Sequence, residues 1–268
     1  MPHSGHADFN WRKSARTVLT RFPALMETGF ELQRIIRRIQ RKAFDPDFQL
    51  LRAMQVAPGR QLVDVGANRG QSIDAMRLFQ PEGEIVAFEP NPILAARLRN
   101  RLKSRTHLNI HPVGLSDEDG EFELFIPTYR GFEFDGLASF DLESAREWLV
   151  TKTVNFDPSK LSVKKYTCSV KKLDDFGLSP EFIKIDVQGL EVNVINGGSK
   201  TIELFRPILL IETGGEWTMP EIMRDLGYLR GRYHEGILSV GQGHGRNTFF
   251  FPDGFLDKLD KRYVTIEV

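Results

Sequence analysis

A carboxylate and two glycines stand where an apolar segment of the sequence ends. Residues 62–72 read Leu-Val-Asp-Val-Gly-Ala-Asn-Arg-Gly-Gln-Ser. Glycine at 66 allows the backbone to approach a ligand or adopt a positive φ, and Gly70 allows a helix to pack closely on the strand. The spacing is G-x-x-x-G, whereas a dinucleotide pyrophosphate is bound by G-x-G-x-x-G at a helix N-terminus. Because Asn68 stands where a middle glycine would admit a phosphate, the turn favours a cofactor without phosphates.

A glutamate farther along the chain is spaced to bind a ribose. Glu89 lies 23 residues after Gly66, and its carboxylate would accept hydrogen bonds from a ribose diol. This spacing suits NAD and S-adenosylmethionine alike. The glycine pattern is therefore what separates the two cofactors, and it disfavours NAD.

Other apolar segments also end in acidic or hydroxyl groups. The predicted strand ends are marked by Asp64, by Glu89 with Asn91, by Ser116 with Asp117, by Asp186 and by Glu212. Ligands of open α/β sheets bind beyond the carboxyl ends of the strands, near the point where the strand order reverses. Burying unpaired carboxylates is costly, so this set indicates a binding site. Chance placement of turn-forming residues is the alternative.

The segments that would position these groups alternate between strands and helices. Apolar runs predict strands at 61–67, 84–89, 108–115, 182–187 and 207–212, and helical patterns lie at 69–79, 93–105, 190–205 and 220–226. This alternation predicts an α/β fold with a doubly wound, mostly parallel sheet. Further strands are predicted at 121–126 and 164–170. The closing segments 229–234, 237–240 and 247–251 lack helical crossovers, so they are predicted to be antiparallel.

The N-terminal part differs from the rest in charge. Residues 9–43 contain nine Lys or Arg and two Glu, a net charge of +7, although the whole chain is neutral. We predict a basic helical extension over residues 1–50 and a single α/β domain over 51–268. Within 28–43, Leu32, Ile35, Ile36 and Ile39 recur at helical spacing, with arginines on the opposite face. This amphipathic helix either packs on the domain or contacts an anionic membrane surface, and nucleic acid is disfavoured.

Composition narrows the class of protein further. The chain has 268 residues and a single cysteine, Cys168, which excludes an internal disulfide and a multi-cysteine zinc site. No apolar run reaches the roughly 18–20 residues of a membrane helix, so a cytoplasmic protein is predicted. The histidines form no ligand pair of recognisable spacing. Oligomeric state is not indicated.

Six segments in order resemble one enzyme family. "LVDVGANRG", "AFEPNP", "VGLSDEDGEFELF", "FIKIDVQGLE", "ILLIE" and "NTFFF" look like the FkbM family of S-adenosylmethionine-dependent methyltransferases over about residues 60–252. The resemblance implies the class I methyltransferase, Rossmann-like fold and O-methylation of a sugar, glycoconjugate or related natural product. It implies that the cofactor is held by Asp64, Gly66, Asn68, Gly70, Glu89, Asn91, Ser116 and Asp117.

The motifs say less about the residues that would bind and activate the methyl acceptor. The resemblance implies that Asp186 faces the cofactor sulfonium, and because a sugar hydroxyl is a weak nucleophile, Asp186 is the predicted base with Glu212 in reserve. Acceptor contacts are assigned to Gln188, Glu191 and His244. Gln188 departs from the Asp-Val-Glu-Gly usual in the family, which bears on acceptor or metal binding. A Mg²⁺ site at Asp186 and Glu212, a non-catalytic cofactor-binding protein and an NAD oxidoreductase stay open as alternatives.

Overall fold

A computed structural model describes residues 23–103, 106–152, 156–214, 218–241 and 246–267. The chain divides into two units, one of residues Met1–Ile35 with Glu123–Tyr166 and the other of Ile36–Phe122 with Thr167–Val268. The predicted boundary between residues 50 and 51 falls inside a 3-10 helix, Pro46–Ala53, of the larger unit. A separate N-terminal extension stays a prediction.

The larger unit is built on a nine-stranded sheet. The strands are β1 Gln61–Val65, β2 Glu84–Phe88, β3 Leu108–His111, β8 Pro180–Ile185, β9 Ile208–Glu212, β10 Leu229–His234, β11 Ile237–Val240, β12 Asn247–Phe251 and β13 Thr265–Glu267. Their order in the sheet is β13-β11-β10-β12-β9-β8-β1-β2-β3. Strands β3, β2, β1, β8 and β9 are parallel. Strand β12 is antiparallel to β9, and β10 is antiparallel to β12 and β11.

The sheet order reverses between β1 and β8, as a doubly wound fold requires. Successive residues of β1 belong to two different hydrophobic clusters, Leu62 to one and Val63 to the other. The central strands are therefore buried on both faces, which is why their sequences read as continuous apolar runs. The predicted α/β, mostly parallel sheet with antiparallel C-terminal strands is confirmed.

Helices cover the sheet at the predicted places, with two differences. They span Gln71–Phe79, Pro92–Leu102, Glu191–Gly197, Ser199–Phe205 and Glu221–Asp225, with short 3-10 helices at Leu173–Phe176 and Leu256–Lys258. The single helix predicted at 190–205 is two helices, because the helical conformation is interrupted at Gly198. The single strand predicted at 108–115 is also wrong: β3 ends at His111, and Gly114–Leu115 forms β4 in another sheet.

The smaller unit carries an aromatic cluster. Strand β5 (Gly120–Tyr129) pairs antiparallel with β6 (Phe132–Glu133), and the helix Leu142–Lys152 and strand β7 (Leu161–Lys171) follow. The second sheet has the order β4-β7-β5-β6. Tyr129 and Phe134 are buried, and the Tyr129 ring stacks on Phe156 with centroids 5.0 Å apart.

The segment around the predicted domain boundary at residue 50 packs into the larger unit. Phe48, Leu50 and Leu51 of the Pro46–Ala53 helix are buried in its core. The start of this helix is tied to β12, because the Asn247 side-chain amide donates to Asp45 Oδ2 at 2.6 Å and to Asp47 Oδ2 at 2.9 Å. Asn247 in turn pairs with Glu212 across the ladder of β12 and β9.

Replacing Asp47 by asparagine is expected to stabilise the protein at neutral pH. Burial, and Asp45 beside it, raise the pKa of Asp47 to about 6. Because this folded-state pKa exceeds the unfolded one, the stabilisation given by the protonated form is lost as the pH rises through about 6. The neutral amide should raise the free energy of unfolding by about 1 kcal/mol at pH 8 and change it little at pH 4. Urea unfolding measures this, and exposed Asp253→Asn is the matched control.

Candidate functional site

The glycine turn after β1 is shaped by close backbone packing. Gly66 has φ +82°, and a Cβ at this position would lie 1.9 Å from the backbone oxygen of Asp186. Gly70 has φ +80°, and its Cβ would meet Leu98 and Arg101 of the Pro92–Leu102 helix. Both glycines are therefore required by the fold as well as by the predicted cofactor turn. Asn68 also has a positive φ, of 49°.

Glu89 is held at the end of β2 beside this turn. Its side chain is buried, and its two oxygens accept backbone hydrogen bonds from opposite sides. Asn68 N–H donates to Oε2 at 2.6 Å and Asn91 N–H to Oε1 at 2.8 Å. Burial raises the pKa of Glu89 to about 7, although both backbone bonds oppose the shift. Each carboxylate oxygen keeps acceptor capacity for a ligand hydroxyl.

Asn91 has a structural role as the cap of the helix that follows β2. Its side-chain oxygen accepts from the N–H groups of Ile93 and Leu94 at the start of the Pro92–Leu102 helix. This is an N-cap followed by proline at the first helical position. The cap fixes the backbone N–H that binds Glu89.

A buried lysine joins two of the predicted acids, and sequence reasoning missed it. Lys184 of β8 lies with Nζ 3.6 Å from Asp64 Oδ1 and 3.1 Å from Asp186 Oδ2. Its side chain is 13% exposed, and Asp64 is fully buried. Ser72 Oγ also donates to Asp64. The available signal was a lysine inside an apolar strand, two residues before Asp186 and thus on the same face.

The ends of β8 and β9 share a chain of charged and amide groups. Gln188 Nε2 donates to Asp186 Oδ1 at 3.1 Å and to Glu212 Oε2 at 3.2 Å. Arg246 Nε donates to Glu212 Oε1 at 2.8 Å. Gln188 has φ +59°, in the left-handed region. The structure thus brings Asp186, Gln188 and Glu212 together, as their predicted roles require.

The two carboxyls of this group differ in proton affinity. Burial acts to raise the pKa of Asp186, but Lys184 and the hydrogen bonds around it outweigh burial and lower the pKa to about 2. Burial and the neighbouring Asp186 raise the pKa of Glu212, against the opposing effect of Arg246. Glu212 is therefore the stronger proton acceptor of the pair.

Ser116 and Asp117 are placed differently from the prediction. They follow β4 of the second sheet rather than the third strand of the central sheet. Ser116 is buried, and its hydroxyl donates to Asp117 Oδ1 at 3.0 Å. The Asn193 side-chain amide donates to the same oxygen at 2.9 Å. These contacts tie the pair to the Glu191–Gly197 helix.

Two further residues, Glu191 and His244, are predicted to contact the acceptor. Glu191 is buried, and its Oε1 accepts from the backbone N–H groups of Val187 and Gly189 at 3.2 and 3.1 Å, so it supports the turn that carries Gln188. His244 lies outside the described residues. Among the residues that the structure describes, no group of three or more His, Cys, Asp or Glu could hold a metal ion.

Comparison with known proteins decides the family. The family model described as "Methyltransferase FkbM domain" matches residues 64–232. The chain belongs to this family. The match covers the glycine turn, Glu89, Asp186 and Glu212, and it agrees with the resemblance read from the six sequence segments.

Two curated relatives carry methyltransferase names. The chain is 30% identical to 2-O-methyltransferase NoeI of Sinorhizobium fredii over 159 residues, which are 54% of this chain and 60% of the relative. It is 27% identical to Methyltransferase 1 of Beauveria bassiana over 147 residues, 51% of this chain and 57% of the relative. The chain thus spans 60% or less of the length of these relatives.

Two solved structures are similar to this chain at low sequence identity. Methyltransferase FkbM from Methylobacillus flagellatus is 18% identical, with a TM-score of 0.44, over 74% of this chain and 45% of that chain. Aeropyrum pernix fibrillarin in complex with natively bound S-adenosyl-L-methionine is 12% identical, with a TM-score of 0.35, over 76% of this chain and 72% of that chain. The FkbM family assignment itself rests on the sequence match.

Proposed function

We propose that this chain is an S-adenosylmethionine-dependent O-methyltransferase that acts on a hydroxyl of a sugar, glycoconjugate or related natural product. The observation that carries the cofactor assignment is the buried Glu89 carboxylate, held by two backbone N–H groups beside a G-x-x-x-G turn. Family membership and the relative named as a 2-O-methyltransferase support transfer to oxygen.

The residues at the ends of β1 and β2 fit this cofactor. Glu89 would bind the ribose hydroxyls, and the turn through Gly66 and Asn68 would surround the methionine end. Asp64 is fully buried beneath this turn, where Ser72 and Lys184 hold its carboxylate. When bound, S-adenosylmethionine supplies a methyl group on a sulfonium. Holding the acceptor oxygen in line with that methyl supplies much of the rate enhancement.

We propose Glu212 as the general base and Asp186 as the residue that orients the reacting groups. A base works best when its pKa lies near the operating pH. The ion pair with Lys184 makes Asp186 a poor proton acceptor, whereas burial and Asp186 itself raise the pKa of Glu212. Gln188 donates to both carboxylates and fixes their separation.

Glu212→Gln is therefore expected to lower kcat by about 100- to 10,000-fold, the usual contribution of a general base. The affinity for S-adenosylhomocysteine should stay within a few fold, because Glu212 lies outside the cofactor turn. Transfer of a labelled methyl group to a panel of glycans and natural products measures the rate. Exposed Glu203→Gln is the matched control. If Asp186→Asn loses turnover and Glu212→Gln keeps it, the base is Asp186.

Cofactor titration separates the proposed function from its two rivals. Calorimetry with S-adenosylmethionine, S-adenosylhomocysteine and NAD should show binding of the first two. Preferential binding of NAD would refute the proposal and favour an oxidoreductase. Binding of S-adenosylmethionine without transfer to any acceptor of a broad panel would favour a non-catalytic protein, in which the Gln188 bridge only holds the two carboxylates.

A further inference from the structure

The N-terminal helix Pro23–Ile39 exposes its apolar face. Leu32, Ile35, Ile36 and Ile39 lie at i, i+3, i+4 and i+7, and they are 56%, 50%, 42% and 77% exposed. Phe44, just beyond the helix, is also exposed. A helix on the surface of a globular protein normally turns such a stripe towards the core. This one therefore needs a covering partner.

The end of this helix and the residues that follow it are strongly basic. Residues 34–44 contain Arg34, Arg37, Arg38, Arg41 and Lys42 and no acidic residue. At 100° per residue, Arg34, Arg37 and Arg38 lie on the side of the helix opposite the apolar stripe, and Arg41 and Lys42 follow its last residue, Ile39. Arg38, Arg41 and Lys42 are exposed and make no ion pair with another described residue. Arg37 is engaged, because it donates to Ala43 O at 3.0 Å and lies over the Phe44 ring.

We propose that this helix binds in the plane of an anionic membrane surface. An interfacial helix combines an apolar stripe, which enters the boundary between headgroups and acyl chains, with basic residues that attract anionic lipid. Both elements are present on one helix here. A second copy of the chain is a poorer occupant, because it would bring together two copies of residues 34–44, each with five cations and no acidic residue. Among the described residues, no helix is long and apolar enough to cross a membrane, so the contact is peripheral.

Sedimentation with vesicles tests the inference on the full chain. The chain should bind vesicles that contain phosphatidylglycerol and phosphatidylcholine, and it should bind pure phosphatidylcholine only weakly. Raising the salt from about 0.05 to 0.5 M should weaken binding, since screening shortens the range of the attraction. Arg38→Glu with Arg41→Glu should lower the affinity by at least about 25-fold, at roughly fivefold per charge. Ile36→Ser with Ile39→Ser should also lower it, by about tenfold or more.

The controls separate a lipid contact from misfolding and from general charge. Lys103→Glu with Lys258→Glu changes the net charge equally at exposed sites elsewhere, and it should bind vesicles nearly as well as the parent. All variants should keep the parent's circular dichroism and S-adenosylhomocysteine affinity. Equal binding by the Arg38/Arg41 variant and the parent would overturn the proposal. Failure of the parent to bind vesicles would also overturn the proposal. In that case, dimers that sedimentation equilibrium shows for the parent and not for the Ile36/Ile39 variant would make a second copy of the chain the occupant of the apolar face.

Discussion

Replacing Lys184 by methionine is expected to lower the free energy of unfolding by about 3–5 kcal/mol, the cost of breaking a buried ion pair from one side. Lys184 is the cation between buried Asp64 and the partly buried Asp186, and its Nζ also donates to Gly66 O at 3.3 Å. Methionine has a similar length, so the loss would come from charge rather than from a cavity. Urea unfolding with cofactor absent measures it.

The pH dependence of this loss gives a sharper test. The lysine keeps the pKa of Asp186 low, so Asp186 contributes stability above its unfolded pKa of about 3.9, and this is lost as the pH falls below that value. In Lys184→Met the loss of stability should therefore be large at pH 7, where Asp64 and Asp186 would be charged without a cation beside them. The loss should shrink towards pH 4, where these two carboxyls can protonate. Adding Asp64→Asn should restore a substantial part at pH 7.

A surface lysine provides the matched control for Lys184. Lys171 faces Asp119 at 3.9 Å, and both side chains are about half exposed. Lys171→Met should change stability by less than about 1 kcal/mol, because exposed ion pairs contribute little. If Lys184→Met were as mild as this control, the buried ion pair would not stabilise the turn.

Glu89→Gln is expected to weaken S-adenosylmethionine binding by about 10- to 100-fold, the cost of losing charge-assisted hydrogen bonds. One oxygen of the glutamine side chain would still accept a backbone N–H, but the amide would face the other N–H and repel it. Calorimetric titration with S-adenosylmethionine and S-adenosylhomocysteine measures the change. Glu84, exposed at the start of the same strand, gives the control Glu84→Gln.

The titration of Glu89 separates a cofactor contact from a general loss of structure. Burial raises its folded-state pKa to about 7, so the charged side chain destabilises the unbound fold as the pH rises through about 7. Because the variant does not titrate there, its stability relative to the parent should rise as the pH passes from 6 to about 8, while it binds cofactor less tightly. The parent should lose cofactor affinity below about pH 7 as the carboxylate protonates, and the variant should not. Unchanged affinity in the variant would show that Glu89 does not contact the ribose.

Periodicity predicted the central elements because each is determined locally. The strand at Gln61–Val65 and the capped helix at Pro92–Leu102 follow from an apolar run and from Asn91-Pro92. The prediction from sequence was wrong where a strand of the central sheet ended and the chain continued into the second sheet. Residues 108–115 read as one apolar segment, but β3 ends at His111, and Gly114–Leu115 pairs with β7 through residues 170 and 171. Such pairing is not encoded in local pattern.

The sequence by itself determined the fold class, the glycine turn after β1 and the acids at the strand ends. These features depend on residue type at short spacing, which one chain displays directly. Only the tertiary structure decided how the acids differ. Lys184 contacts Asp64, which lies 120 residues earlier in the sequence, and keeps Asp186 ionised. Glu212 instead accepts hydrogen bonds from Gln188 and Arg246. Proton affinity depends on burial and on charges a few ångströms away, and the folded chain alone sets those distances.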